Sequence, residues 1–318
     1  MARLGAHGGQ SRDNSRQSAH TALSDQVRRS VTQANYRPPV DLFPFESKWY
    51  DLNGYRIHYV HEGRGRPLLL LHGNATFSFV YREMISQLRD NFRCVAPDYP
   101  GFGLSDHPQN YGYTPAEHAE CVIELVRALD LRDMVVMGQD WGGPIGVAVA
   151  LSDPDRIGGL VLANTWCWPS DSLPMRLFGL AMSTRAVRWL VMQRNPFVED
   201  TMRMGAVRPM PERIRDVYRQ VLPTPASRRA VAILASQVRG AEDWFRMLER
   251  ESPVRLRDIP VRLVWGMRDP AFGHETILSR WHAMFPRSEV VRLTDASHYV
   301  QEDNPGAAAE VIRRSFAG

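Results

Sequence analysis

Cysteine is scarce in this sequence. Its 318 residues contain three, Cys94, Cys121 and Cys167, which show no spacing typical of a metal site and cannot all pair with one another. A disulfide framework and a cysteine-ligated metal are therefore not expected. Free thiols in a reducing, cytoplasmic compartment are expected instead.

Long hydrophobic runs and blocks of one charge are also missing. No apolar stretch reaches membrane-spanning length, and the N-terminus lacks the apolar segment of a signal peptide. The net charge of +4 comes mostly from arginines scattered along the chain, rather than gathered in a basic, aromatic-rich patch. These features predict neither a membrane nor a nucleic acid as a partner. A homo-oligomer held by the arginine-rich segments stays open, although charged runs more often form solvated surfaces.

The overall composition is ordinary for a globular protein, with 44% hydrophobic and 23% charged residues. The length suits one large α/β domain with an insertion, or two domains. Residues 1–35 are rich in Ser, Arg, Gln, Gly and His and poor in large apolar side chains, which predicts a disordered tail. A transit peptide would look similar, but Asp13 and Asp25 weigh against one.

A hairpin and a series of buried strands are predicted after this tail. Asn53-Gly54 supplies the two positive-φ positions of a tight turn between strands at 49–52 and 55–60. Short apolar runs then alternate with helical patterns, as in a parallel sheet covered on both faces. The apolar runs are 67–71, 92–97, 134–137, 159–164, 261–266 and 289–293. Helices are expected at 77–88, 114–129 and 274–285, with a final helix that ends at Phe316.

The alternation of strands and helices is interrupted once. Between residues 166 and 257 there is no strand pattern, and Pro, Met, Trp, Phe and Arg recur at helical spacings. We therefore predict an α/β fold with a mostly parallel, eight-stranded sheet flanked by helices. Its core domain would comprise 36–165 and 258–318, with a helical cap domain at 166–257.

A nucleophile elbow is indicated at the strand 134–137. The strand runs into Gly138-Gln139-Asp140-Trp141-Gly142 and then into a helical stretch of small residues, so that the central side chain stands exposed above a sharp turn. Most enzymes with this elbow have Ser at the centre, whereas this chain has Asp140. A carboxylate can displace a leaving group from saturated carbon and form an ester. Taken alone, Asp140 could also be a turn or N-cap residue.

Two further residues follow strand ends, where the sites of such sheets lie. Asp269 comes after the strand at 261–266, and His298 comes after the strand at 289–293. Either alone could be a turn residue or a surface histidine. Together with Asp140 they give the chain order nucleophile, acid, histidine of an α/β-hydrolase.

Asn74 and Trp141 supply neutral N–H donors beside the expected nucleophile. Asn74 lies in the loop that usually provides an oxyanion hole, and Trp141 directly follows Asp140. Such donors suit a leaving halide. The alternatives are a turn former for Asn74 and a core aromatic for Trp141.

These motifs together resemble a haloalkane dehalogenase over residues 45–316, least closely in the cap. The segments that carry the resemblance are His72-Gly73-Asn74, the loop Asp98–Asp106, Gly138-Gln139-Asp140-Trp141-Gly142-Gly143 and Ser297-His298-Tyr299-Val300-Gln301-Glu302-Asp303. It implies an α/β-hydrolase fold, a halogenated apolar substrate, halide and water as partners, and no cofactor or metal.

The resemblance also implies a role for each site residue. Asp140 would be the nucleophile, His298 the base and Asp269 its acid partner, with Asn74 and Trp141 stabilising the halide. One branch of the family carries its acid as a Glu after the sixth strand, where this chain has Asn164, so the chain resembles the branch with Asp-His-Asp plus Asn-Trp. By similarity to cap segments, Phe197 and Pro209 would also reach the halide.

Other functions also occur on the α/β-hydrolase fold. An epoxide hydrolase usually has Pro where this chain has Ala75, and it needs cap tyrosines, of which Tyr218 is the single candidate. A fluoroacetate dehalogenase would need Arg beside the nucleophile, and a serine esterase is excluded if Asp140 is the elbow residue. A luciferase-like oxygenase and a non-catalytic binding protein on the same fold stay open.

Overall fold

The computed structural model describes residues 36–317. The disordered tail predicted for residues 1–35 lies outside the described residues.

Eight strands form one sheet in the order β1-β2-β4-β3-β5-β6-β7-β8. β2 pairs antiparallel with β1 and β4, and the neighbours from β4 through β3 to β8 pair in parallel. The predicted eight-stranded, mostly parallel sheet is therefore confirmed. The strands are β1 Ser47–Leu52, β2 Tyr55–Gly63, β3 Arg66–Leu71, β4 Phe92–Pro97, β5 Met134–Gln139, β6 Ile157–Ala163, β7 Val261–Gly266 and β8 Glu289–Leu293.

The strand chemistry explains this layout. Asn53 and Gly54 have φ of 52° and 86°, the left-handed values that a tight hairpin turn requires. The side chains of residues 68–71 in β3 and all of β5 are buried, so helices cover the central sheet on both faces. The continuous apolar runs in the sequence are thus the two-sided core of a parallel sheet.

Twelve helices connect and cover the strands within residues 36–317. One helix start shows clearly the local signal that sets it. Thr114 and Glu117 form a reciprocal capping box that starts the second helix. The helices are α1 Arg82–Leu88, α2 Pro115–Ala128, α3 Gly142–Ser152, α4 Leu173–Ser183, α5 Arg185–Arg194, α6 Met202–Met204, α7 Glu212–Gln220, α8 Arg229–Gly240, α9 Glu242–Arg255, α10 Glu275–Met284, α11 Val300–Asp303 and α12 Pro305–Phe316.

Two predicted helices differ from the structure at their ends. The helix expected from residue 77 begins as a 3₁₀ turn, Ser78–Tyr81, before α1. The last helix is divided into α11 and α12 at Asn304-Pro305. Pro305 has no N–H to continue the ladder, and the Asn304 side chain caps the new helix by accepting from the Ala307 N–H at 3.1 Å.

The six helices α4–α9 and a π-helical turn, Phe197–Thr201, fill the chain between β6 and β7. No strand occurs among the described residues of this insertion. α8 packs against α4 and α5, while α9 packs against α3 of the sheet layer. The boundaries of the cap domain at 166 and 257 stay a prediction. Across residues 36–317, no helix is both long enough and apolar enough to cross a bilayer.

Candidate active site

The elbow forces Asp140 into a strained backbone conformation. Its φ is 53°, in the left-handed region that non-glycine residues seldom adopt. A Cβ on Gly138 would overlap the Gly142 carbonyl, and a Cβ on Gly142 would overlap the Leu71 carbonyl. The two glycines are therefore required for strand and helix to approach this closely, and the turn exposes the Asp140 side chain above the sheet edge.

The Asp140 carboxylate lies in a small cradle of backbone donors. Oδ1 accepts from the Asn74 N–H at 2.7 Å, and the Trp141 N–H also donates to the carboxyl group. A Cβ on Gly73 would lie 2.6 Å from Oδ1, so glycine is needed there too. The two N–H groups are placed to stabilise negative charge on a carboxylate oxygen.

His298 stands next to this carboxylate and is oriented by Asp269. A hydrogen bond of 2.8 Å joins His298 Nδ1 to Asp269 Oδ2, while Nε2 lies 3.7 Å from Asp140 Oδ2. A proton on Nδ1 donated to Asp269 leaves the Nε2 lone pair available on the side of the Asp140 carboxylate. The structure therefore brings together the three residues that the sequence places after three different strands.

Asn164 occupies the position at which one branch of the family carries its acidic Glu, and here its side chain holds Asp269 in place. Its Nδ2 donates to Asp269 Oδ2 and to the Gly266 carbonyl, both at 2.9 Å, and its Oδ1 accepts from the Gly266 N–H at 2.7 Å. The amide satisfies one carboxylate oxygen of Asp269 and fixes its position across two strands. Asn164 is therefore a positioning residue for Asp269, a role that the sequence did not predict.

The charges of the three groups are coupled. Burial raises the pKa of Asp140 above its usual value, against the opposing effects of His298 and the two backbone donors. Burial alone would lower the pKa of His298, but the carboxylates of Asp269 and Asp140 raise it above its usual value. For Asp269 burial acts upward, yet His298 and the hydrogen bonds it accepts hold its pKa below the usual value. Asp269 is thus the more acidic of the two carboxyl groups.

Gln139 contacts His298, which the sequence did not predict. This buried side chain, one residue before Asp140, places Nε2 3.0 Å from His298 Nε2 and 3.0 Å from the His298 carbonyl oxygen. An N–H donor at Nε2 favours the neutral imidazole with its proton on Nδ1. The sequence contains no pattern for this contact, because the two residues are 159 positions apart.

A cavity of about 530 Å³ opens above Asp140, within the range of small-molecule sites. Aromatic rings form much of its inner wall, with Trp141 against Trp166 at 5.0 Å and Trp166 stacked on Phe272 at 5.2 Å. No Arg or Lys lines it among the described residues. The cavity therefore suits a neutral, apolar molecule.

Both predicted halide donors line this cavity. The indole nitrogen of Trp141 has no hydrogen-bond partner in the described part of the chain, so its N–H is free to donate into the cavity. The Asn74 amide donates one N–H to the Val231 carbonyl of α8 at 3.2 Å. That bond holds the amide against the cap and leaves its second N–H for a ligand.

The two cap predictions fare differently. Phe197 lines the cavity and packs edge-on against Phe178 at 6.5 Å. Pro209 is exposed and is not among the cavity-lining residues, so the structure does not bring it to the site. Pro209 lies in the segment between α6 and α7, after the π-helical turn.

Comparison with known proteins identifies the family of the chain. The family model of the alpha/beta hydrolase fold matches residues 66–305. Haloalkane dehalogenase 2 of Mycobacterium bovis is 46% identical over 282 residues, which cover 89% of this chain and 99% of the relative. A cis-3-alkyl-4-alkyloxetan-2-one decarboxylase of Shewanella oneidensis is 30% identical, with coverage of 85% of this chain and 87% of the relative.

Solved structures give the same fold. The crystal structure of the haloalkane dehalogenase DatA from Agrobacterium tumefaciens C58 superposes with a TM-score of 0.77 at 23% identity, covering 87% of this chain and 98% of that chain. This likeness supports the fold, and the sequence relatives support the narrower assignment. The chain therefore belongs to the α/β hydrolase fold family and, within it, to the haloalkane dehalogenases.

Proposed function

We propose that this enzyme hydrolyses haloalkanes through a covalent alkyl ester on Asp140. The observation that carries the proposal is the position of the Asp140 carboxylate at the base of an apolar cavity. It has two backbone donors on one side, a free indole N–H beside it and the His298–Asp269 pair at 3.7 Å. Each group matches one requirement of the reaction.

In the first step, an Asp140 oxygen attacks the halogen-bearing carbon from behind. The new carbon–oxygen bond forms as the carbon–halogen bond breaks, and the halide leaves with the bonding electrons. The Trp141 indole N–H and the free Asn74 amide N–H receive it. Since no cationic side chain lines the described cavity, these neutral donors stabilise the halide without binding it as tightly as a charge would.

In the second step, water cleaves the ester. His298 Nε2 takes a proton from water as the water oxygen attacks the carboxyl carbon of Asp140, while the N–H groups of Asn74 and Trp141 hold the oxyanion. The bond between that carbon and the alkyl oxygen then breaks, and the proton on His298 passes to the departing alcohol, which regenerates the Asp140 carboxyl group. Asp269 and Asp140 both raise the pKa of His298. Esterification removes the charge of Asp140, so the imidazole becomes easier to keep neutral when it must act as base. General-base assistance is worth about 10²- to 10⁴-fold.

The products are an alcohol, a halide and a proton, and the chain needs no metal or organic cofactor for either step. Because Cys94, Cys121 and Cys167 are free and buried, we place the enzyme in the cytoplasm.

Trapping the ester tests this proposal. The His298→Phe variant, given 1-bromobutane, should gain the mass of one butyl group per chain, and peptide mapping should place it on Asp140. The His274→Phe variant changes a histidine at the exposed rim of the cavity and should not accumulate the adduct. If the His298→Phe variant gains no mass while the wild-type enzyme releases bromide, the covalent route is wrong.

A decarboxylase is the second candidate, because the Shewanella oneidensis relative carries that name at 30% identity. Loss of carbon dioxide from a cis-3,4-dialkyl oxetan-2-one leaves an alkene and needs no water. The cavity, which suits a neutral, apolar molecule, also fits such a ring. The 46% identity to a dehalogenase places dehalogenation first.

Parallel assays separate the candidates. The wild-type enzyme should release bromide from 1-bromobutane and form little alkene from a cis-3,4-dialkyl oxetan-2-one at equal concentration. Alkene formation without bromide release would assign the decarboxylase instead.

The epoxide hydrolase alternative loses its structural basis. The Tyr218 hydroxyl donates to Glu302 Oε1 at 2.9 Å, and Tyr218 is not among the residues that line the cavity. It therefore cannot protonate an alkoxide formed at Asp140.

A further inference from the structure

Apolar side chains are exposed on one part of the cap. Ten large hydrophobic side chains are exposed among residues 36–317, and six of them lie on α4 and α5. Exposed apolar groups scattered singly need no explanation, whereas a contiguous group marks an interaction surface. The six are Leu173, Leu177, Phe178, Leu180, Trp189 and Leu190.

The helical period places three of the α4 side chains on a common outer face, whereas Phe178 lies on the cavity side of α4. At 100° per residue, Leu173, Leu177 and Leu180 fall within about 60° of arc on α4. The opposite side of α4 carries the buried Gly179 and Met182. On α5, Trp189 lies about 160° from the buried Val191, and Leu190 lies on the flank of the helix, about 100° from Val191. We call the outward surface of α4 and α5 the outer cap face.

The charge of the outer cap face has one sign. Arg176, Arg185, Arg188 and Arg194 lie on these helices, and no Asp or Glu occurs between residues 172 and 198. None of the four arginines forms an ion pair with another described residue. The flanking acids Asp171 and Glu199 are held by ion pairs with Arg280 and Arg219, and the exposed Asp200 lies beyond α5.

We propose that the outer cap face docks on an anionic lipid surface. Leu and Trp side chains with arginines around them form the pattern of a helix that lies in the membrane interface, and each arginine near such a surface contributes about 1 kcal/mol. A second copy fits less well. A two-fold contact of this face with itself would oppose four arginines to four others, and juxtaposed like charges are costly.

The cavity opens next to this face. Pro174, Met175 and Phe178 of α4 line the cavity, while Leu173 and Leu177 point outward from the same two turns. A docked enzyme would therefore present its cavity mouth near the lipid, where apolar haloalkanes concentrate. This last step rests on the proposed function, but the docking itself does not.

The outer cap face could not be predicted by the sequence criterion used for a membrane partner. That criterion searches for a spanning apolar run, whereas α4 and α5 alternate apolar residues with arginines. The proposal therefore departs from the expectation of no membrane partner, which rested on the absence of a spanning run.

Vesicle sedimentation tests the proposal with the full chain. Vesicles of equal parts phosphatidylglycerol and phosphatidylcholine should bind the protein at low salt, and pure phosphatidylcholine should bind it far less. The Leu177→Glu/Leu180→Glu variant should lose binding, and Arg176→Gln/Arg185→Gln should weaken it about fivefold per arginine. The Val254→Glu variant is the matched control, because Val254 is 66% exposed on α9.

Each outcome decides the question. Salt-sensitive binding that only the outer-face variants lose supports the proposal. Absence of binding overturns it, as does binding that is equal on neutral vesicles or equally lost by Val254→Glu. Light scattering provides a second test: if the wild-type chain is a dimer that Leu177→Glu/Leu180→Glu makes monomeric, without vesicle binding, the occupant is a second copy. All variants should release bromide in free solution at the wild-type rate, which separates a failed docking proposal from a failed proposed function.

Discussion

Replacing Gln139 with Met should shift the pH dependence of ester hydrolysis. Methionine keeps the length of the side chain but removes the N–H groups that lie 3.0 Å from His298 Nε2 and from its carbonyl oxygen. The donation to Nε2 exists only when that nitrogen is unprotonated, so it stabilises the neutral base. Its loss must therefore raise the pKa of His298 further.

The size of the shift follows from one hydrogen bond. A net loss of about 0.5–1.5 kcal/mol corresponds to an upward move of about half to one pKa unit. Below the pKa of the base, hydrolysis should slow by about 3- to 10-fold. Well above that pKa, the rate of hydrolysis should fall only to the extent that the imidazole ring of His298 is positioned less firmly. Rapid quench and mass spectrometry of the alkyl-enzyme, at a series of pH values, measure the decay rate directly.

Gln301→Met is the matched control, because Gln301 is also fully buried and lies on α11 close to His298. It should leave the acid limb of the profile in place. If Gln139→Met lowers the plateau but leaves the limb unmoved, Gln139 only packs the site. A limb that moves down would mean that the amide oxygen, not its nitrogen, faces His298.

Three further changes have outcomes set by the structure. Trp141→Phe removes a donor to the leaving halide, worth about 1.5–3 kcal/mol for a charged acceptor. It should slow alkylation about 10- to 100-fold in a bromide-release burst assay, and an unchanged burst would contradict the role. Asn164→Ala frees Asp269 Oδ2 from one donor, so hydrolysis should slow more than alkylation in the same assay. Glu302→Gln removes the nearer counter-charge of the buried Arg82, which is bonded to Glu302 at 2.6 and 2.7 Å, and leaves only the exposed Glu83 at 3.6 Å. Urea unfolding should show a loss of about 3–5 kcal/mol, and a loss below 1 kcal/mol would contradict that balance.

The sheet and the catalytic geometry could be predicted because their signals are local. Buried parallel strands are continuous apolar runs, and the elbow is a strand, a glycine-flanked turn and a helix within one short segment. Asp269 and His298 could be placed because strand ends meet at one edge of the sheet. None of these steps requires knowledge of a long-range contact.

The remaining contacts depend on packing between distant segments. Gln139 meets His298 only because β5 and the loop after β8 come together at the sheet edge, and Asn164 reaches Asp269 because β6 lies beside β7. In the cap, amphipathic patterns predict helices but not how the helices dock. Phe197 therefore reaches the cavity as expected, while Pro209 lies exposed outside it.

The central claim is that the oxygen of the product alcohol comes from Asp140. A single turnover of 1-bromobutane with excess wild-type enzyme in H₂¹⁸O tests it most directly. The ester route predicts an alcohol that carries ¹⁶O, with ¹⁸O incorporated into the Asp140 carboxylate. An alcohol that carries ¹⁸O in the first turnover, with Asp140 unlabelled, would show that water displaces the halide directly and would contradict the account.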